Sequence, residues 1–529
     1  MLFISTSKTN SQLKSEPNLA KIGKNIVITS ALSCFSFLNL TVTSVLALPI
    51  SLQTLPTALW GKPTCDVDPR DRALKDNLRN TNNSAYQALV AKHKDQLNAC
   101  RSKDPIKTQA LWLRLYVKDT KPEVLADVLD RIVNRGYNAV YVEVFYDGRI
   151  LLPVSDNPTP WRSLTEEAVK AGKVAADYDL WAEIIRQGQQ RGLRVHGVSS
   201  TMNFGYSYGQ VQNRSSVLAL NGRGETSISR SLFDPSSNLV ANGQAFYLDP
   251  TEADHLFIDP YNLLAKSDFS VAIASLVKRQ PDGILFDYLR YPSHKGLVNN
   301  VKDLWIYGEA ARKSLLNSMP NEGSKQLMAM YLEQGKITPE VMQKIQKQNS
   351  GISQTQSKNP EFAAKVGEQL LWQLAVNHAR QGVLNFVNEA IAIVNNSGNN
   401  LSNQNLDSKM TIGTVFSPTG NFQKSGAYDQ RMQPWERFPL TLERHPMTYP
   451  ICNDGKCVAN EVMNVIKASK ANKVCPVLAG TWGQSWRGHP SLEIQMQAIK
   501  AVAPQISCVS HFMYGWVEPD SEQERKAGL

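Results

Sequence analysis

Residues 281–292 read Pro281-Asp282-Gly283-Ile284-Leu285-Phe286-Asp287-Tyr288-Leu289-Arg290-Tyr291-Pro292. The apolar run Ile284-Leu285-Phe286, bounded on both sides by proline, is too short for a helix and predicts a strand over 282–287. That strand carries Asp287 at its C-terminal end, with Arg290 three residues on and Pro292 ending the segment. Residues 261–279 just upstream have the length and apolar content of a helix, so the local unit is helix, then strand.

The same alternation continues outward in both directions. Towards the N-terminus, strands are predicted over 110–117, 138–146 and 193–200, with helices over 122–135 and 178–191 between them. Pro122 opens the first of these helices and Gly136 closes it. Towards the C-terminus come a helix over 361–395, a strand over 409–416, a short strand near 447–449 and a helix over 460–471. A strand over 473–478, a helix over 491–502 and a strand over 506–513 complete the pattern. Strand-helix alternation at this spacing implies parallel strands, and about eight of them imply an α/β chain closed into a (β/α)8 TIM barrel with long loop insertions. A doubly wound open sheet is the alternative, but no Gly-rich turn follows the first strand to hold a cofactor phosphate, and no cofactor is expected.

The chain has 529 residues, with 42% hydrophobic and 20% charged. That balance excludes a disordered chain and a multi-span membrane protein. The formal charge is +10, but Lys8, Lys14, Lys21 and Lys24 against Glu16 alone lie in the first 47 residues. The remaining surplus is dilute and comes with no repeated aromatic-basic motif, so nucleic acid is not an expected partner. Residues 26–48 carry no charge and end near Ser44-Val45-Leu46-Ala47, which fits signal cleavage after Ala47. The run is also long enough to span a bilayer, so an uncleaved signal anchor is the alternative. Either address puts the bulk of the protein in the periplasm or cell envelope, touching membrane only through a retained anchor.

The expected organisation is therefore a leader over 1–47, a linker and helical extension over 48–108, and the barrel over 109–529. The last strand leaves too few residues for a full eighth helix. A helix predicted over 71–97 is expected to pack in that gap. Of seven cysteines, six lie outside the leader. Six permit 15 pairings; the expected ones are Cys65 with Cys100, Cys452 with Cys457 and Cys475 with Cys508, with free thiols the alternative for the last pair. No cysteine or histidine spacing fits zinc.

Strand parity nominates interior residues. Val140, Val142 and Val144 suit the helix-facing side, which turns Glu143 into the barrel. The same rule turns Trp112, Arg114 and Tyr116 inward on the first strand and His196 inward on the third. Arg114 and Glu143 on adjacent strands would pair. Asp287, at the strand end where such barrels keep their active sites, would be a nucleophile or a general acid/base.

Two stretches, Phe257-Ile258-Asp259-Pro260 with the helix after it and the 282–292 segment, resemble the glycosyl-hydrolase-like family ten barrels of bacterial envelopes. Ala110-Leu111-Trp112-Leu113-Arg114, Ala139-Val140-Tyr141-Val142-Glu143-Val144 and Val195-His196-Gly197 are similar to that family's first three strands. The likeness covers residues 110–516. It implies a TIM barrel acting on glycan strands of peptidoglycan type, with Asp287 at the leading active-site carboxylate.

Glycoside hydrolysis generally uses two carboxyl groups. The second is sought among Glu143, Asp147, Glu436 and Glu518, with Glu143 ranked first. Asp147-Gly148 reads as a turn, and Asp259-Pro260 before a helix reads as a cap ahead of a site residue. Aromatic rings at the barrel mouth would cover sugar faces: Trp482, Trp486, Tyr514 and Trp516 are nominated, with Arg114, His196 and Arg290 as polar contacts to a polysaccharide substrate. A glycan-binding barrel without turnover is the alternative function. A deacetylase would need a metal site that the sequence does not offer.

Overall fold

The computed structural model describes residues 65–227, 255–293, 296–348, 359–399 and 410–527; the expected leader lies outside them. Eight parallel strands form a closed ring. In order they are Thr108–Leu113, Ala139–Tyr146, Arg194–Ser200, Gly283–Asp287, Thr411–Phe416, Glu443–Thr448, Val477–Ala479 and Cys508–Phe512. The first pairs with both the second and the eighth, which closes the sheet on itself. With helices Pro122–Asn134, Leu180–Gln190, Leu263–Val277, Pro360–Asn399, Lys456–Ser469 and Leu492–Val502 in the connections, this is a (β/α)8 TIM barrel.

Local chemistry sets the helix starts. Pro122 occupies the first turn of Pro122–Asn134, and the side chains of Asp179 and Asn262 accept backbone N–H bonds at the starts of Leu180–Gln190 and Leu263–Val277. Asp259 therefore does not cap the helix that follows it. Its carboxylate accepts from the Tyr261 amide at 2.9 Å and from Ala311 at 2.8 Å, inside the first turn of Glu309–Asn317. It remains a capping group, but for a helix fifty residues away.

Side-chain alternation builds two cores. Leu111, Leu113, Val140, Val142, Val144 and Val195 face the helices. Trp112, Tyr141, Val198, Leu285, Val415 and Val477 fill the ring. The sixth strand starts four residues before the expected 447–449 segment. Its opening Glu443-Arg444-His445-Pro446 looks unlike a strand, yet Arg444 is fully buried and donates to the Phe438 and Pro439 carbonyls at 2.6 and 3.1 Å.

The N-terminal extension departs from expectation twice. Its helix is split into Pro69–Thr81 and Asn83–Lys103 by extended backbone at Asn82, whose side chain caps the second helix. The pair does not fill a gap beside the eighth strand; it packs on Pro122–Asn134 and Leu180–Gln190. Asp130 decides this placement. It takes Lys75 at 3.5 Å and Arg79 at 3.0 Å from the extension, Arg191 at 3.0 Å from the barrel, and the Tyr86 hydroxyl at 2.8 Å. The side beside the first strand is covered instead by Pro519–Lys526, whose Arg525 reaches Asp119 at 2.6 Å and the Arg114 carbonyl at 2.7 Å.

All three expected disulfides are present, with Cα–Cα separations of 5.6, 6.2 and 4.7 Å. Among the described residues, no helix is long and apolar enough to cross a membrane.

Candidate active site

The fourth strand delivers Asp287 to the mouth, level with Ser200 of the third. The next residue, Tyr288, has a φ of 56°, a left-handed conformation rarely adopted by a bulky side chain. The Tyr288 amide donates to the Asp287 carboxylate at 2.6 Å. Such outliers persist where surrounding structure enforces them, and they cluster at functional sites. Burial pushes the Asp287 carboxyl up to about 6, against the lowering effects of the Tyr288 amide and of Arg290, while the charge of Glu143 raises it further. Arg290 stays near by lying over the Phe257 and Tyr288 rings, 5.4 and 5.0 Å from their centroids.

Glu143 points into the barrel as parity requires. Arg114 grips it at 2.5 Å, lies over the Tyr146 ring and reaches Asp147 at 3.5 Å. Asp147 and Gly148, with φ of 49° and 64°, make the two-residue turn that joins Tyr146 to Arg149. The other two carboxylates are occupied elsewhere. Glu436 pairs with Arg380 and accepts from Asn421, whereas Glu518 pairs with Arg131 and Arg135 on the helical layer. Glu143 is thus the carboxylate that the structure brings towards Asp287.

His196 is inward but too low. Parity specifies a face, not a height: His196 stands opposite Gly283, four residues below Asp287 on its strand, or about 13 Å at strand rise. A Cβ at Gly283 would lie 2.1 Å from the imidazole, so this glycine makes the ring's space. Burial holds His196 near 3, neutral and deep in the barrel floor, out of a substrate's reach.

The nominated aromatics divide. Trp486 and Trp516 stand at the mouth, 6.4 Å apart, and Trp516 meets Phe512 edge-on. A tight hairpin, with Trp486 and His489 exchanging amide bonds at 2.9 Å, presents the first indole. Trp482 instead turns into the helical layer, donating to the Tyr137 hydroxyl at 3.1 Å and packing edge-on against outward-facing His511. Tyr514 is fully buried, with its hydroxyl 2.8 Å from Ser521. The Tyr514 ring is closed to a sugar, and the half-buried Trp482 is turned towards the helical layer.

Sequence reasoning missed Tyr449. It continues the inward series Glu443, His445, Met447 past the end of the sixth strand and packs beside Phe512. Burial, then the charges of Asp287, Glu143 and Tyr288, push its phenol well above the ordinary value, so it stays protonated and keeps a hydrogen to donate. The alternation reaches Tyr449 only from Glu443, and the polar opening of the strand masks that start.

Glu443, His445 and Cys475 bring potential ligand atoms within 4.8 Å of one another at the barrel floor. The Cys475 sulfur is bonded to Cys508, so this trio has no thiolate to offer. The site that remains is Asp287 and Glu143, whose charges act on a protonated Tyr449, and a row of rings running from Tyr449 through Phe512 and Trp516 to Trp486.

No protein-family model matches the chain, and no curated protein does either. Solved structures resemble it at low identity. The glycoside hydrolase domain of PgaB (BpsB) from Bordetella bronchiseptica is 15% identical with a TM-score of 0.44, over 79% of this chain and 98% of that one. An exo-β-N-acetylglucosaminidase of family GH20 from Vibrio harveyi is 7% identical with a TM-score of 0.38, over 80% of this chain and 53% of that one. A GH20 β-N-acetylhexosaminidase from Streptomyces coelicolor is 9% identical with a TM-score of 0.34, over 78% and 60%.

Proposed function

We propose that this protein is an exported glycoside hydrolase that cleaves glycosidic bonds of an envelope polysaccharide, of peptidoglycan glycan type. The observation that carries the reading is the unlike setting of two carboxyl groups at one barrel mouth. Burial keeps a proton on Asp287 up to about pH 6, while Glu143 is ion-paired with Arg114. Two carboxyl groups in contrasting environments are what acid-base cleavage of an acetal requires. In this reading Asp287 protonates the leaving oxygen. Glu143 faces the charge that develops on the sugar, and Tyr449 donates to a substrate oxygen. Trp486 and Trp516 cover sugar faces, and Arg290 positions Asp287. Three disulfides favour an oxidising compartment and so support export.

One observation favours a second reading, a glycan-binding barrel without turnover. Both Glu143 oxygens face Arg114 nitrogens, at 2.5 and 3.4 Å, which leaves Asp287 without a second carboxylate free of an ion pair. Reducing-end release from peptide-free peptidoglycan glycan and other envelope polysaccharides, run beside Asp287→Asn, separates the two. Cleavage lost on that substitution supports the hydrolase. Binding without cleavage by the unmodified protein supports the binder, and cleavage indifferent to Asp287→Asn removes Asp287 from the chemistry.

A further inference from the structure

One cavity among the described residues is not lined by Asp287. It opens beside the mouth, has a volume of about 760 Å³, and begins at Arg114, the residue that grips Glu143. Its walls come from the loops after the first three strands and from the C-terminal helix. Lys118, Arg149, Arg162 and Lys526 line it along with Tyr206, and its one lining carboxylate, Asp147, already faces Arg114.

These cations are only partly neutralised. Arg149 is exposed and makes no ion pair among those seen for the described residues. Arg162 meets Glu167 at 3.8 Å with both side chains about two-thirds exposed, a contact of little strength. Lys118 donates to the Glu524 carbonyl rather than to a carboxylate. Lys526 shares Glu522 with Arg525, and Arg525 is itself fully committed to Asp119 and Glu522. The cleft thus collects a net positive field on a chain whose surplus charge is otherwise dilute, and concave walls focus such a field on a ligand of opposite sign. Its volume lies in the range of roughly 300 to 1,000 Å³ typical of ligand sites. Tyr206, 40% exposed, offers a ring face within it.

We infer that this cleft is a subsite for carboxylated sugars, so that the polysaccharide taken by the barrel is anionic and is held on one side of the cleavage point through its acidic groups. The inference rests on the glycosidase reading for its placement and adds the charge of the substrate. Arg149 and Arg162 are the specificity residues. Their guanidinium groups suit two-point contact with a carboxylate, and a neutral glycan would leave Arg149 without an acidic partner and Arg162 with only its loose contact to Glu167.

The test is equilibrium binding to a matched pair of probes at low ionic strength: peptide-free peptidoglycan glycan, whose lactyl groups carry carboxylates, and the same glycan after those carboxylates are reduced to alcohols. Polygalacturonate and its carboxyl-reduced form serve as a second pair. The native protein should bind at least one acidic member on the order of tenfold tighter than its reduced counterpart. That preference should shrink as salt is raised. The double variant R149Q/R162Q, with unchanged thermal unfolding, should bring the ratio close to one. Equal binding within both pairs, no binding to either acidic glycan, or a preference that survives R149Q/R162Q would each overturn the inference. Cleavage of a glycan without charge preference would overturn it while leaving the hydrolase standing. Charge-selective binding with no cleavage would do the reverse.

Discussion

Asp130 and Asp287 are both aspartates set into the fold, the first buried and the second half-buried, and the fold treats them in opposite ways. Burial pushes the Asp130 carboxyl up, but Arg191, Lys75 and Arg79 together outweigh it and hold the group below the ordinary carboxylate value. Asp287 has one amide donor and a guanidinium that lies over neighbouring rings, and burial wins, raising it to about 6. The first is a fixed charge clamping four elements together; the second keeps a proton up to about pH 6. A buried acid reveals its task by what has been arranged to neutralise it.

The largest effect that would test this contrast is on the clamp. Asp130→Ala leaves three buried cations facing one another and should cost about 3–5 kcal/mol of stability, read as a lower urea midpoint. A loss below 1 kcal/mol would show that the network is dispensable. The opposite change is expected at the mouth. Asp287→Asn keeps an oxygen for the Tyr288 amide and removes a carboxylate that must ionise in a poor setting. At pH 7 it should stabilise the protein by about 1–2 kcal/mol, the full shift being discounted for partial exposure. A destabilised variant would contradict the raised carboxyl.

The pH profiles sharpen the same point. Asp287 binds a proton more tightly folded than unfolded, so the stability it contributes at low pH is lost as pH rises from its ordinary value of 3.8 through about 6. Asp259, also raised to about 6, shares that window, so Asp287→Asn should remove only part of the slope. Asp130 runs the other way: its contribution is present above the ordinary carboxylate value and lost as pH falls through its lowered one. Glycan cleavage should decline as pH rises through about 6 if Asp287 is the acid, and rise there if it acts ionised. The smallest effect is at the aromatic wall, where Trp516→Ala should weaken glycan binding by about 0.5–1.5 kcal/mol by calorimetry, whereas Trp482→Ala should leave binding unchanged and lower the melting temperature instead.

The barrel was legible because its signals are local. Alternating Val140, Val142 and Val144 fix a face, Pro122 fixes a helix start, and a short apolar run ending in Asp287 fixes a strand with its terminus at the mouth. The missing features depend on partners far along the chain. His196 has the right face at the wrong height, because its level is set by pairing to Gly283. Trp482 leaves the mouth for Tyr137, more than three hundred residues away in sequence. The extension docks where Asp130 gathers cations from separate elements, and no window of sequence contains that cluster. The sixth strand was hidden by polar residues whose bonds go to carbonyls of a preceding loop.

Pairing of Thr108 with Cys508, latched by Arg525 on Asp119, also governs the order of assembly. A chain emerging N-terminus first holds seven strands with two raw edges until Phe512 is out. Its ring closes only by joining segments separated by most of the sequence, the slowest kind of contact to form. Until then each edge can accept a foreign strand, so the eighth strand guards the sheet against mispairing as well as completing the ring.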